Sequence, residues 1–450
     1  MQLTIRNRGC IIILLIMCLW VMPAHATGLV TGKVNDFCTG KPLKGVLVTS
    51  DDEVAITDEN GMFVTKTTRA RLALRAHGYR RADSAVMNSP LNTPHLIRLF
   101  PFTPKGLYLS FYGIGCKSIR ESALKLIQET ELNTLVIDVK GDRGMIPYKS
   151  TIPLAVEVGG QQIITVREID ELMKSLKAEG IYTIARIVVF KDNLLALAKP
   201  EIAVKTQGGA IWRDRENLAW VDPFKEEVWD YNIEIAIEAA RHGFDEIQFD
   251  YVRFPDAPGL QFSMSNTQEN RVKAISGFLA EAKNRLTPHN VFLSADIFGY
   301  VCWNLNDTWI GQKLEDLVSN LDYLSPMLYP SGFRYGIPGH RIPVVNAQEI
   351  VYRSLKRAQE RTLLAPTRFR PWLQAFRDYA FDKRYFKEKE IRDQINAAIE
   401  FGSGGWMLWN PCNVYSSFGL KKEEPLSEGG LVSFLSKNHK TVGFWDGWEL

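Results

Sequence analysis

The feature that most limits what this chain can fold into is a strand-and-helix alternation that starts near residue 105 and runs to about residue 410. Short runs rich in apolar and β-branched residues at 106–111, 134–140, 183–190, 246–253, 291–297, 323–329, 370–376 and 405–410 read as strands. Helical periodicity lies between most of them, for example at 118–129, 165–179, 267–285 and 390–401. Eight strands alternating with helices fit a (β/α)8 TIM barrel better than an open sheet. A doubly wound sheet for dinucleotides would put a glycine-rich turn after its first strand, and Gly113-Ile-Gly115 matches that pattern poorly. In such a barrel the chemistry belongs at the C-terminal ends of the strands.

Residues 243–255, GFDEIQFDYVRFP, form the most telling of these units. The helical run Glu226–Arg241 is closed by Gly243, and Pro255 opens a Pro/Gly-rich loop. With a period of two, Ile247, Phe249 and Tyr251 face one side while Gln248, Asp250 and Val252 face the other. A carboxylate thus stands at a strand end on the face that a core would keep apolar, which makes Asp250 the first catalytic candidate. The same reading applies elsewhere. Asp138 shares parity with Val136 and Lys140, and Ser294 and Asp296 oppose Leu293, Ala295 and Ile297. Arg186 sits among apolar neighbours, Lys191-Asp192 follow the third strand, Tyr329 ends the sixth, and the seventh carries Trp372 and Gln374. The plain alternative is that buried Asp and Arg only neutralise one another inside the barrel. Trp220, Trp372, Trp406 and Trp409 are core residues on the same view, with one of them lining a cleft.

Two carboxylates across a barrel mouth with aromatics around it suit glycoside hydrolysis, which needs no cofactor. The chain has no GxSxG elbow, no phosphate loop, and no HExxH or HxxE arrangement for zinc. Asp and Glu holding a hard metal ion is the remaining hydrolytic alternative. Lys plus Arg number 54 against 51 Asp plus Glu, and no basic stripe is interleaved with aromatics, so nucleic acid is not an expected partner.

The amino-terminal third reads differently. Arg6 and Arg8, an apolar run over 10–22 and Ala24-His25-Ala26 read as a secretory signal peptide, residues 1–26, with an uncleaved membrane anchor as the alternative, and Cys18 lacks the small neighbour of a lipoprotein site. The mature protein is therefore expected to be periplasmic or secreted, with no later membrane span. Four of the six cysteines remain: Cys38, Cys116, Cys302 and Cys412. The barrel order would let Cys116 and Cys412 pair, with free thiols as the alternative. Residues 27–100 have the short strands and turns of a small all-β sandwich, 101–104 a linker, 105–425 the barrel and 426–450 a tail.

Two resemblances carry these readings further. GKVNDFCTGKPLKGVLVTSDD, TDENGMFV and AHGYR resemble the carboxypeptidase regulatory-like domain, a transthyretin-like β-sandwich attached to many exported proteins. That family implies a spacer or contact module and no chemistry. EVWDYNIEIAIEAARHGFDEIQFDYVRFPD, with VIDVKGDRG, ARIVVFKD, LSADIFGY, LSPMLYPSGF, RPWLQAF and GWMLWNP, resembles a bacterial family of glycoside-hydrolase-like proteins known mainly as a domain of unknown function. The resemblance implies a TIM barrel related to retaining glycosidases whose nucleophile is an Asp at the end of the fourth strand, here Asp250. Related barrels keep the acid/base after the fifth or sixth strand. Asp296 holds the former place, and Tyr329 departs from the carboxylate pattern at the latter. The resulting expectation is a glycosidase acting on an extracellular or envelope polysaccharide, with Asp250 as nucleophile and Asp296 as acid/base. Asp138, Lys140, Arg186, Lys191, Asp192, Gln248, Arg253, Tyr329, Trp372, Gln374 and Trp409 would surround the sugar. The competing expectation is a non-catalytic barrel that binds carbohydrate or acts as a scaffold in the cell envelope.

Overall fold

The structure, a computed structural model, describes residues 28–50, 53–67, 71–85 and 94–422. The leader assigned to 1–26 and the tail assigned to 426–450 lie outside the described residues.

Eight parallel strands close into a barrel in chain order: Lys105–Leu109, Thr134–Lys140, Tyr182–Val188, Glu246–Asp250, Phe292–Phe298, Tyr323–Met327, Trp372–Gln374 and Trp406–Trp409. The closing pair is eighth against first, Leu408 opposite Leu107. Each strand is sealed outside by helices whose apolar stripes meet its outward residues, as Phe278 of helix Gln268–Leu286 meets Phe249 at 4.9 Å between ring centroids. No helix among the described residues is long and apolar enough to cross a membrane.

Inside the barrel the side chains stack in layers. The lower layer holds Glu246, which pairs with Arg370 and accepts from Ser294 Oγ at 2.6 Å and Tyr182 Oη at 2.9 Å. Both charges are almost wholly buried, and each is satisfied by its partner and by hydrogen bonds. This is what a structural pair looks like in this protein. Above it Gln248 donates to Ser325 Oγ at 3.1 Å, and above that the barrel opens.

Ahead of the barrel lie two small antiparallel-rich sheets. One has Gly28–Asp36 between Met62–Thr67 and His95–Leu99, and the other runs Glu53–Ile56, Leu47–Ser50, Arg71–Arg75, Ala82–Ala85. Val34, Phe63, Ile97 and Leu99 of the first meet Val46, Val48, Leu72 and Leu74 in one apolar core, so the sheets form a sandwich. Its contacts with the barrel fall on segments that enter the strands. Arg81 holds Asp245 at 2.9 Å and the Asn290 carbonyl at 3.0 Å, and Gly78 N donates to Tyr323 Oη at 3.0 Å. His77 Nε2 lies 3.2 Å from Asp322 Oδ1. The sandwich therefore caps the N-terminal face of the barrel, opposite the strand ends where chemistry is expected.

Asp322 gives this docking a pH dependence. Burial alone would raise its carboxyl, but the His77 hydrogen bond, the Arg75 charge and the Leu293 N–H outweigh burial and hold it at about 2. A carboxyl lowered in the folded state stabilises above its unfolded pKa and loses that contribution as pH falls through the folded value. The advantage of the native protein over Asp322→Asn should thus be about 2 kcal/mol near neutrality and vanish between about pH 4 and pH 2. Denaturant unfolding of both proteins across that range measures it; a constant difference would remove Asp322 from the account.

The four described cysteines are free thiols. Cys116 Sγ lies 3.4 Å from Ser118 Oγ, and the Cys116–Cys412 bridge considered above is not formed.

Candidate active site

Four charged side chains converge where the second to fifth strands end. Arg186 is the hub. Its Nη1 donates to Asp138 Oδ1 at 2.6 Å, its Nε donates to Asp250 Oδ2 at 3.0 Å, and its Nη2 also bonds Asp250 Oδ2. The register explains the meeting, since Arg186 pairs across the sheet with Asp138 on one side and Gln248 on the other, two residues short of Asp250. Asp296 Oδ2 stands 4.0 Å from the same Nε, beyond hydrogen-bond reach, while its Oδ1 accepts from Trp372 Nε1 at 2.7 Å. Tyr108 Oη donates to Asp138 Oδ2 at 2.6 Å, and the Tyr108 and Trp409 rings stack at 4.0 Å beneath the guanidinium.

Three carboxyls thus share one guanidinium in a nearly dry place. All three cannot stay ionised there without severe cost. Burial, and then the charge of Asp250, push Asp296 well above the ordinary carboxylate range, against a smaller pull from Arg186. Burial also raises Asp138, opposed by Arg186 and the Tyr108 hydrogen bond. Asp296, the one carboxyl of the three without a hydrogen bond to Arg186, carries the proton most readily.

A cavity of about 180 Å³ opens onto this cluster, lined by Arg186, Asp250, Asp296, Tyr251, Arg253, Phe298, Met327, Tyr329 and Trp409. Tyr251 reaches it through an unusual backbone. Its φ is +48°, a left-handed value that a bulky side chain rarely takes, and its N–H donates to Asp250 Oδ1 at 2.6 Å. The fourth strand therefore ends at Asp250. Tyr251, assigned by alternation to the outer face, turns into the cavity, and Val252 packs in the outer core instead.

The structure separates the remaining sequence candidates. Arg253 stacks over Trp220 at 5.0 Å and Tyr251 at 5.1 Å on the cavity wall. Trp372 is fully buried and acts on Asp296 through its indole N–H. Lys140 does not share the inward face with Asp138: a β-bulge pairs Arg186 with Asp138 but Ile187 with Lys140, turning Lys140 to the helix layer. There it pairs with Asp192 at 2.6 Å, both fully buried and away from the cavity wall. Gln248 lies a layer below the cavity, and Gln374 braces the loop after the sixth strand by donating to Ser331 Oγ at 2.7 Å. Lys191 is ringed by Glu216 at 2.6 Å, Asp214 at 3.1 Å and Asp142 at 3.6 Å and does not line the cavity. Lys140, Asp192, Gln248, Gln374 and Lys191 thus do not line this cavity, whereas Tyr251, Phe298 and Met327, which the strand pattern did not single out, do. Of these three, Phe298 had a visible signal, an aromatic directly after the Asp296 strand pattern.

Comparison with known proteins adds a family and a fold. Residues 106–415 match the model of the family described as "Putative glycosyl hydrolase domain". The PgaB (BpsB) glycoside hydrolase domain of Bordetella bronchiseptica is similar in structure, with a TM-score of 0.51 at 12% identity, covering 69% of this chain and 95% of that one. A hypothetical protein from Ruminiclostridium thermocellum aligns at 40% identity over 42% of this chain and 96% of its own, with a TM-score of 0.39. A class V chitinase of Pseudomonas fluorescens aligns at 13% identity and a TM-score of 0.42, over 70% and 97%. A search of curated proteins found no match.

Proposed function

The chain belongs to the glycosyl hydrolase family whose model spans its residues 106–415, and we propose that it hydrolyses glycosidic bonds of a polysaccharide outside the cytoplasm, with Asp250 and Asp296 as the reacting pair. The observation that carries this is the asymmetry of the two carboxyls. Asp250 is held by Arg186 and the Tyr251 N–H, whereas Asp296 is pushed up toward its protonated form. Environments that drive two neighbouring carboxyls apart are how a hydrolase makes one an acid and the other a base or nucleophile.

In the reaction, Asp296 protonates the departing oxygen while Asp250 attacks the anomeric carbon, giving a glycosyl ester and a free alcohol. Asp296, now ionised, takes a proton from water, which cleaves the ester and restores both groups. The spacing is compatible with direct attack. Asp250 Oδ2 and Asp296 Oδ2 lie 3.0 and 4.0 Å from one nitrogen, so they are at most 7.0 Å apart. Direct attack wants roughly 5 Å, whereas a water between the groups wants ~6.5–9.5 Å.

The test is a screen of the mature protein against envelope and extracellular polysaccharides, following new reducing ends and the anomer formed first. Cleavage with retained configuration is expected. Binding without cleavage would point instead to a carbohydrate-binding barrel, and loss of cleavage on chelation to a metal-dependent hydrolase. The acid role also sets a pH limb. Because Asp296 works when protonated and its carboxyl is raised, kcat/KM should fall as pH climbs through that raised value. The Asp296→Asn protein should lose that alkaline limb along with roughly 10²–10⁴-fold in rate. An unaltered limb would exclude Asp296 as the acid.

A further inference from the structure

Aromatic rings continue outward from the cavity wall over the loops that follow the fifth, sixth and seventh strands. Phe298 lies 5.8 Å from Tyr300, ring centroid to ring centroid, and Tyr300 lies 6.4 Å from Tyr335. On the other flank, Tyr329 meets Phe376 at 5.5 Å, and Phe376 runs nearly parallel to Tyr379, with 9° between planes and 6.2 Å between centroids. Phe298 and Tyr329 belong to the cavity wall, and both runs end in rings that face solvent, Tyr335 at 88% exposure and Tyr379 at 49%.

These exposed rings rest on fixed backbone. Tyr335 N donates to Tyr300 Oη at 2.9 Å, and that hydroxyl donates to the Gly336 carbonyl at 3.2 Å. Gly299 lets the segment lie close, since a Cβ there would stand 2.6 Å from the Met327 carbonyl oxygen and 2.8 Å from the Phe333 ring. Beneath Tyr379, the buried Asp378 carboxylate accepts from Ser331 Oγ at 2.7 Å, Ala380 N at 3.0 Å, and Phe381 N and Lys383 N at 2.9 Å. The backbone that carries each ring is held by these bonds without a ligand, which lowers the cost of binding one.

We propose that these two runs are a platform for sugar units outside the cavity, so that the substrate is a long chain of pyranoses rather than a small glycoside. The inference rests on the glycosidase reading, because the platform starts at its cavity. At about 180 Å³ that cavity is small beside the ~300–1,000 Å³ that encloses a drug-sized ligand. The other sugars of a polymer must lie outside it, on surface. A pyranose offers an apolar C–H face and a wet hydroxyl rim, which suits a half-exposed aromatic ring.

The experiment measures binding of the mature protein and of Tyr335→Ala, Tyr379→Ala and the double variant by retardation in gels cast with hydroxyethyl cellulose, glycol chitin, mixed-linkage β-glucan or soluble starch. Hydrolysis of the same polymers is followed beside it. Each substitution is expected to weaken binding of at least one polymer on the order of tenfold, the loss typical of a truncated aromatic anchor. Tyr335→Phe should keep it, because the ring does the stacking. The loss should grow from a trisaccharide to an octasaccharide of that polymer. Equal binding by the double variant, or no retardation of the unsubstituted protein in any gel, would overturn the platform. Cleavage with the same KM in the double variant would also overturn it while leaving the glycosidase reading intact. Ring-dependent binding without cleavage would uphold the platform and defeat the glycosidase reading.

Discussion

Asp250→Asn is expected to lower turnover by roughly 10⁴-fold or more while the protein still folds. An amide is isosteric with the carboxylate but has one acceptor oxygen where Tyr251 N and Arg186 use two, so it keeps only one of those contacts, and it cannot attack an anomeric carbon. The fold should survive because Arg186 keeps its 2.6 Å bond to Asp138. A second consequence separates this from simple damage. The Asp250 charge is the largest cause, after burial, of the raised Asp296 carboxyl, so removing it should bring that carboxyl down toward the ordinary range. Carboxyl titration by NMR in the variant checks this shift, and turnover with a burst of leaving group checks the role. Wild-type turnover in Asp250→Asn would end the assignment. An Asp296 titration that does not move would deny the coupling of the two groups.

Arg186→Ala should give the largest combined loss of stability and activity. The guanidinium bonds Asp138 and Asp250, lies near Asp296, and is itself almost wholly buried. Removing one partner of a buried pair costs about 3–5 kcal/mol because it leaves a buried charge uncompensated, and here two carboxylates lose their partner. Asp138, already raised by burial, would rise further without the opposing guanidinium. A carboxyl raised in the folded state destabilises most once pH exceeds its folded value, so the deficit of the variant should shrink as pH is lowered. Denaturant unfolding at pH 7 and pH 4 reads this directly. Arg370→Ala is the comparison, since Arg370 neutralises Glu246 one layer below and away from the cavity. Both variants should lose stability. Arg186→Lys should recover folding but little activity, because an ammonium cannot hold two carboxylates in the planar geometry of the guanidinium.

The barrel was legible in the chain because periodicity is local. A strand repeats every two residues and a helix every 3.6, so eight alternations could be counted without knowing which strands touch. The same period set Asp250, Asp296 and Asp138 apart from their apolar neighbours, and the observed register brings them together with Arg186. The logic failed where the backbone leaves its period. A bulge between Asp138 and Lys140 turns Lys140 outward to Asp192, and a left-handed residue after Asp250 swings Tyr251 inward. Neither event has a dedicated residue in the sequence, since no glycine marks the bulge and a tyrosine occupies the left-handed position.

What the sequence determined by itself, then, is what repeats along one strand or helix: the (β/α)8 alternation and the parity of the strand-end charges. Only the tertiary structure decided which charge satisfies which. Lys191 drew three carboxylates from loops far along the chain, Lys140 was consumed by Asp192, and Arg186 was left to serve Asp138 and Asp250 with Asp296 just out of reach. The upward push on the Asp296 carboxyl follows from those distances and from the exclusion of water. Both are properties of groups brought together from separate strands, and no single stretch of sequence contains them.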